Sequence, residues 1–313
     1  MIINKNVSPS KILLFGEYSV LVHSNALAIP FSKYSGQLVY ANKHDSDNPE
    51  IIKSNEIIQK FYAYLKALKR KSPHLCVFDF KTFEADIHKM LYFKSDIPEQ
   101  YGLGSSGALT AQVFSNFVLH PKNYNLNQLK NIFAGMESFF HGKSSGTDPL
   151  VSFVNKSIIF VPNEIKTIEL QFENIKKHLG IFFIDTNRRA GTLGSVAEFQ
   201  NKLITDLSFR KKIELQYIPI VNSTIENFIN YKSDNFIPAL KELVKFQIEL
   251  FRNLFPENLI KIVQYGIEKD LYYLKLCGSG GGGYLLGFTA KPDETFNYLQ
   301  KSGLNVEKLE YFQ

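Results

Sequence analysis

The stretch KLCGSGGGGYLLGF, Lys275–Phe288, places five glycines within the six positions Gly278–Gly283, between two apolar runs. Glycine loses more conformational freedom on folding than any other residue, so a strand running through this stretch would be weakened. The chain has to break into a loop of bare backbone here. A second stretch, YGLGSSGALTAQVF, repeats the pattern 176 residues earlier, from Gly102 to Gly107. The two windows hold eight of the 19 glycines. Any fold for this chain must accommodate two loops whose main chain lies open to close approach.

The 313 residues suit one large domain or two ordinary ones, with two the better expectation. Hydrophobic content of 44% against 21% charged describes an ordinary globular core. No stretch approaches eighteen consecutive apolar residues, and MIINKNVSPSK lacks the apolar core of a signal peptide. The two cysteines, Cys76 and Cys277, sit in neither metal nor redox spacing, so a reduced, cytoplasmic setting is expected. The net charge of +6 comes from lysines spread along the chain, without the aromatic-interleaved basic cluster of a nucleic-acid binder.

KILLF (Lys11–Phe15) reads as a buried strand ending at Gly16. NEIIQKFYAYLKALK reads as helical. A further helix follows the glycine-serine loop, with Leu109, Val113 and Phe117 on its apolar face. Another is expected over 127–141, with the stripe Leu129, Ile132, Phe133, Met136 and Phe140, and Gly142 as its C-terminal cap. SIIFV and LGIFFIDT are strand candidates, and the polar segment 162–178 between them marks a domain boundary. Beyond it lie mainly helices, one expected to begin at Pro238, before a return to strand, glycine loop and strand.

GLGSSG matches the dinucleotide fingerprint G-x-G-x-x-G in form only. No strand directly precedes it, and no Asp or Glu lies between Gly107 and Met136 to meet a ribose. HGKSSG mimics the end of a Walker A motif, but that motif needs glycine where Glu137 stands. A Ser-Ser loop opening a helix remains. There, free N–H groups and the helix dipole favour a phosphate, the alternative being a simple serine-capped turn. Glu137 sits about 80° from the centre of its helix stripe, at 100° per residue. Asp148, 11 residues later, is expected in a turn-rich loop past the helix end. Lys11 heads the buried strand, where it could also be only a flanking residue.

Together these residues resemble the GHMP small-molecule kinases across nearly the full chain. SPSKILLFGEYSV is similar to that family's P-x-K-x-x-L-x-G-E opening, PEQYGLGSSGALTA to its phosphate loop, and KLCGSGGGGYLLGF to its C-terminal glycine loop. The resemblance implies an α+β, two-domain GHMP kinase fold. Residues 1–176 would form an N-terminal α/β ATP-binding domain and 177–313 a C-terminal ferredoxin-like α+β domain, with the active site in the cleft between them. It implies an ATP-dependent phosphotransferase acting on a small alcohol, with ATP and Mg²⁺ as cofactors.

AGMESFFHGKSSGTDPL and IDTNRRAGTLGSVAEF are similar to the mevalonate kinase branch, so mevalonate is the favoured alcohol. Phosphomevalonate, homoserine, a sugar, or a silent binding protein of the same fold are the alternatives. On this resemblance Asp148 and Lys11 are catalytic, and Gly102, Leu103, Gly104, Ser105, Ser106 and Gly107 hold the ATP phosphates. Ser106 and Glu137 hold the metal, with Ser105 the rival serine. Glu17, Tyr18 and Thr192 are expected to contact substrate, and Gly278, Ser279, Gly280 and Gly281 to shape the site. Arg188 and Arg189 could meet an anion or be solvated. No nucleic acid or membrane partner is implied, and a homodimer is allowed. Two departures stand out: Tyr18 where most mevalonate kinases carry histidine, and Gly107 where alanine is usual.

Overall fold

The computed structural model describes residues 7–42, 44–45, 47–189, 192–231 and 233–310, apart from the side chains of Thr192, Leu193 and Ser233. The chain divides into two compact units that interleave in sequence. One comprises the residues up to Lys11, Pro30–Pro98 and Gly104–Asn155; the other comprises Ile12–Ile29, Glu99–Leu103 and the residues from Lys156 on. Two strands, β1 (Ser8–Phe15) and β2 (Ala26–Tyr40), run through both units. The strand expected at Lys11 therefore starts three residues earlier.

In the first unit, Gly36–Tyr40 of β2 pairs antiparallel with β3 (Leu91–Ser95). Around this pair lie α1 (Pro49–Lys71), α2 (Phe80–His88), α3 (Ser105–Phe117), α4 (Leu126–His141) and α5 (Thr147–Val154). Each helix has a local cause. α1 starts on the Asn48 cap with Pro49 next and ends in Lys69, Arg70 and Lys71, which suit the dipole. α4 opens with an Asn125–Gln128 capping box and closes at Gly142, as its sequence predicts. α3 is buried from Gly107 to Phe114, and its one interior amide is satisfied: Gln112 Nε2 donates to Ser8 Oγ at 2.9 Å. Phe61, Phe83, Phe114 and Phe133 are fully buried, and Phe83 stacks on Phe117 at 4.0 Å.

In the second unit, Ala26–Ala28 pairs with β4 (Ser157–Val161), which turns back as β5 (Glu164–Ile168). A separate antiparallel sheet holds β6 (Gly180–Asp185), β7 (Tyr273–Leu276), β8 (Tyr284–Thr289) and β9 (Val306–Lys308) in the order β7-β8-β6-β9. Read in chain order, with helices between β6 and β7 and α12 (Pro292–Lys301) between β8 and β9, this is the expected ferredoxin-like arrangement. The remaining α-helices among the described residues are α6 (Phe172–His178), α7 (Thr192–Thr205), α8 (Leu207–Lys212), α9 (Ile218–Ile229), α10 (Ser233–Leu250) and α11 (Glu257–Glu268).

α10 begins five residues before Pro238, which lies inside it. A proline this close to the N-terminus removes only an early hydrogen bond. Phe15, Phe228, Phe236 and Phe288 form the core of this unit, with Phe15 stacked on Phe288 at 5.6 Å. Among the described residues, no helix is long and apolar enough to cross a membrane.

Candidate active site

The first unit brings Lys11 and Asp148 together, their Nζ and Oδ1 atoms 3.0 Å apart. Lys11 is buried on β1, while the Asp148 side chain keeps 32% of its exposure. The partner that stays open is therefore the carboxylate. Asp148 is not in the loop its sequence suggests but in the first turn of α5. Proline is tolerated in a first helical turn, so Pro149 does not prevent it, and a carboxylate there suits the dipole.

Gly104 caps α3 in the left-handed region at φ +76°, with no side-chain cap. A Cβ at Gly104 would sit 3.0 Å from Lys11 Cγ and 3.4 Å from Asp148 Oδ2. Bare main chain at the start of α3 thus lies against the ion pair. Open N–H groups, a helix N-terminus, an ammonium and a partly exposed carboxylate share one locality, a set able to hold an anion and handle a proton.

Behind it stands Glu137, 3% exposed. Ser106 Oγ donates to its Oε1 at 3.1 Å and Ser144 Oγ to its Oε2 at 2.5 Å. Burial, and secondly the nearby Asp148 charge, push the Glu137 carboxyl up to about 7, against the two hydroxyl donors. His141 Nε2 is 2.9 Å from Ser106 Oγ, and burial holds this imidazole below its ordinary range. Neither Ser144 nor His141 was singled out from the sequence. His141 lies four residues after Glu137, on the same helix face, a spacing that could have revealed it. Nothing in the sequence distinguishes Ser144.

It is Ser106, rather than its neighbour Ser105, whose hydroxyl meets Glu137. Among the described residues no group of three or more His, Cys, Asp or Glu is placed to hold a metal. Two hard oxygens, one a buried carboxylate, fit a magnesium ion that arrives on a nucleotide and keeps phosphate and water as its other ligands.

The glycine loop lies in the second unit, and its packing answers the question its composition raises. Gly278, Gly280, Gly281 and Gly283 all have φ between +67° and +76°. A Cβ on Gly283 would fall 2.9 Å from Tyr101 Cα, and one on Gly102 would fall 3.1 Å from the Cys277 carbonyl. The two glycine-rich segments touch main chain to main chain, which side chains would prevent. Leu103, next to Gly102 in sequence, is fully buried.

Glu17 and Tyr18 are placed differently from what substrate contact suggests. Glu17 is 2% exposed and ion-paired with the buried Lys275, whose Nζ also donates to the Leu276 carbonyl at 2.6 Å. Tyr18 is 5% exposed, and its hydroxyl donates to the Ser279 carbonyl. Burial pushes that phenol up to about 12. Thr192 opens α7, but its side chain lies outside the described residues. Arg188 and Arg189 are exposed. Arg188 lines an open groove of about 560 Å³ with Glu198, Lys202, Glu249, Arg252 and Glu257, where cations and anions alternate.

Residues 59–156 match the GHMP kinases N terminal domain. Over 96% of its length the chain is 24% identical to mevalonate kinase of Methanocaldococcus jannaschii, across 96% of that protein. Its fold is similar to that of L. major mevalonate kinase in complex with R-mevalonate, with a TM-score of 0.63 and 15% identity over 98% of this chain and 96% of that one. It is equally similar to Streptococcus pneumoniae phosphomevalonate kinase in complex with phosphomevalonate and AMPPNP, at a TM-score of 0.63 and 15% identity over 97% and 99%. The chain thus matches the N-terminal domain of the GHMP kinases over residues 59–156 and is similar in fold to mevalonate and phosphomevalonate kinases over nearly its whole length.

Proposed function

We propose that this protein transfers the γ-phosphoryl group of ATP to the primary hydroxyl of mevalonate, giving 5-phosphomevalonate for isoprenoid synthesis. The observation that carries the reading is the Lys11–Asp148 pair, 3.0 Å apart, against the bare backbone of Gly104. Phosphoryl transfer depends mostly on positioning and charge stabilisation, with little covalent work for the protein. ATP lies with its phosphates along Gly102–Gly107, held by N–H groups at the start of α3. Ser106 and Glu137 are the protein's ligands to the magnesium that accompanies ATP. The Asp148 carboxylate accepts the proton of the alcohol as its oxygen attacks the γ-phosphorus and ADP leaves, and the Lys11 ammonium stabilises the developing alkoxide. In this reading residues 1–176 bind ATP, residues 177–313 carry the glycine loop Gly278–Gly281, and Thr192 is assigned to the alcohol. The enzyme works in the cytoplasm, in keeping with its cysteine content, and a homodimer is compatible with it.

The full-length likeness to a curated mevalonate kinase supports mevalonate as the acceptor. Phosphomevalonate is the second reading, favoured by Tyr18 and by the equal likeness to the phosphomevalonate kinase fold. ADP release from Mg-ATP with mevalonate, phosphomevalonate, homoserine and galactose in turn tests both. Turnover with mevalonate alone is expected; turnover with phosphomevalonate alone would move the assignment to the second reading.

A further inference from the structure

Tyr18 follows the Gly-Glu of the first motif, where the sequence suggests substrate contact. The structure gives its side chain other partners. The ring stacks on Phe251 at 4.8 Å and lies 5.2 Å from Phe199. The hydroxyl donates to the Ser279 carbonyl, with the Ser195 side chain beside it. Tyr18 holds this position at φ +63°, which a bulky residue adopts only when its surroundings fix it.

Ser279 sits between Gly278 and Gly280, both left-handed, in a segment with little conformational preference of its own. The peptide joining Ser279 to Gly280 is planar and trans, so its carbonyl and N–H point in opposite directions. Whatever holds the carbonyl also aims the Gly280 N–H. Farther along, the loop is tied by Gly281 N–H to the Leu254 carbonyl at 2.8 Å and Gly283 N–H to the Arg188 carbonyl at 2.6 Å. The Ser279 end is tied by the phenol. One residue before Tyr18, Glu17 is paired with Lys275 on β7, the strand that leads into the loop. Two successive residues of the first motif therefore grip the strand and the loop of the third.

We propose that Tyr18 is a positioning residue rather than a substrate contact: its hydroxyl holds the Ser279–Gly280 peptide and keeps the C-terminal glycine loop in the conformation that packs on Tyr101 and Gly102. Recognition of the alcohol then falls to other side chains. The effect on turnover rests on the kinase reading; the effect on the loop does not.

Tyr18→Phe removes the hydroxyl and keeps the ring stack. Hydrogen exchange, measured by mass spectrometry on the ligand-free full chain, reads the loop directly. Peptides covering 277–284 are expected to exchange about tenfold faster than in the wild type, the factor of one net hydrogen bond, with peptides from β6 and α4 unchanged. In steady-state assays with the preferred alcohol, kcat/KM for ATP is expected to fall several-fold while KM for the alcohol holds. Unchanged loop exchange with a raised alcohol KM would overturn the proposal and return Tyr18 to the substrate. Global unfolding of Tyr18→Phe would overturn it too, since the hydroxyl is assigned to holding the loop and not to holding the fold together. Faster loop exchange in a protein without kinase activity would uphold the positioning role and reject the kinase reading.

Discussion

Gly107→Ala is the smallest change that tests how the candidate site is built. A Cβ at residue 107 would lie 2.8 Å from the carbonyl carbon and Cβ of Asp148 and from the nitrogen of Pro149. Ordinary contact begins at 3.4 Å, so the first turn of α5 must retreat by about 0.6 Å. Two of the three obstacles are backbone, and no side-chain rotation relieves them. Overpacking of this kind costs ~1–3 kcal/mol. Alanine regains up to ~1 kcal/mol over glycine in a helix interior, and less in the first turn where residue 107 lies. Net destabilisation of ~1–2 kcal/mol is expected.

The effect on chemistry is larger. The retreat shifts Asp148 relative to the start of α3, and a misplacement on the order of 1 Å at a reacting group costs roughly 10²-fold. The assay is kcat and ATP KM on the purified variant beside its melting temperature. A fall in kcat of about two orders of magnitude with a melting point lowered by only a few degrees is expected. Wild-type turnover would refute the reasoning, because the contact between α3 and Asp148 would then be looser than the geometry requires.

Further outcomes follow from the same structure. Asp148→Asn is expected to lower kcat by ~10²–10⁴ with ATP affinity little changed, the usual range for a lost general base; equal loss of ATP affinity would place Asp148 on the nucleotide instead. Glu137, raised from 4.5 to about 7 by burial, binds a proton in the folded state that the unfolded chain has already released between those values. Stability of the metal-free protein should therefore fall by a few kcal/mol as pH rises through that window, and Glu137→Gln should flatten the curve of denaturant midpoint against pH. Lys275→Met leaves the buried Glu17 carboxylate without its cation and should cost ~3–5 kcal/mol in denaturant unfolding, with most of it recovered in the double variant carrying Glu17→Gln.

How much of this was legible in the sequence depended on whether a residue's partners were local. β4, α4 and its Gly142 cap could be read because their signals lie within one element. The two glycine loops were recognisable as bare-backbone sites, and their mutual contact explains their composition. β2 escaped notice because Pro30, Lys33 and Gly36 interrupt its apolar pattern, and its partners lie far off at β3 and β4. α5 was hidden by turn-forming residues, Gly146 and Pro149, which suit a helix start as well as a loop. Lys275 reads as an ordinary strand lysine; only the fold brings it to Glu17, 258 residues away in sequence. The same limit applies to Tyr18, whose role depends on what the chain brings to its hydroxyl.

The proposed phosphoryl transfer from ATP to an alcohol rests on Asp148. Its most direct test is ³¹P NMR of a reaction holding the full chain, Mg-ATP and mevalonate, run beside Asp148→Asn. A phosphate monoester resonance growing with ADP in the wild type and slowed ~10²–10⁴-fold in the variant is expected. An ester that forms equally fast without the carboxylate would contradict it, as would ADP released with inorganic phosphate and no ester.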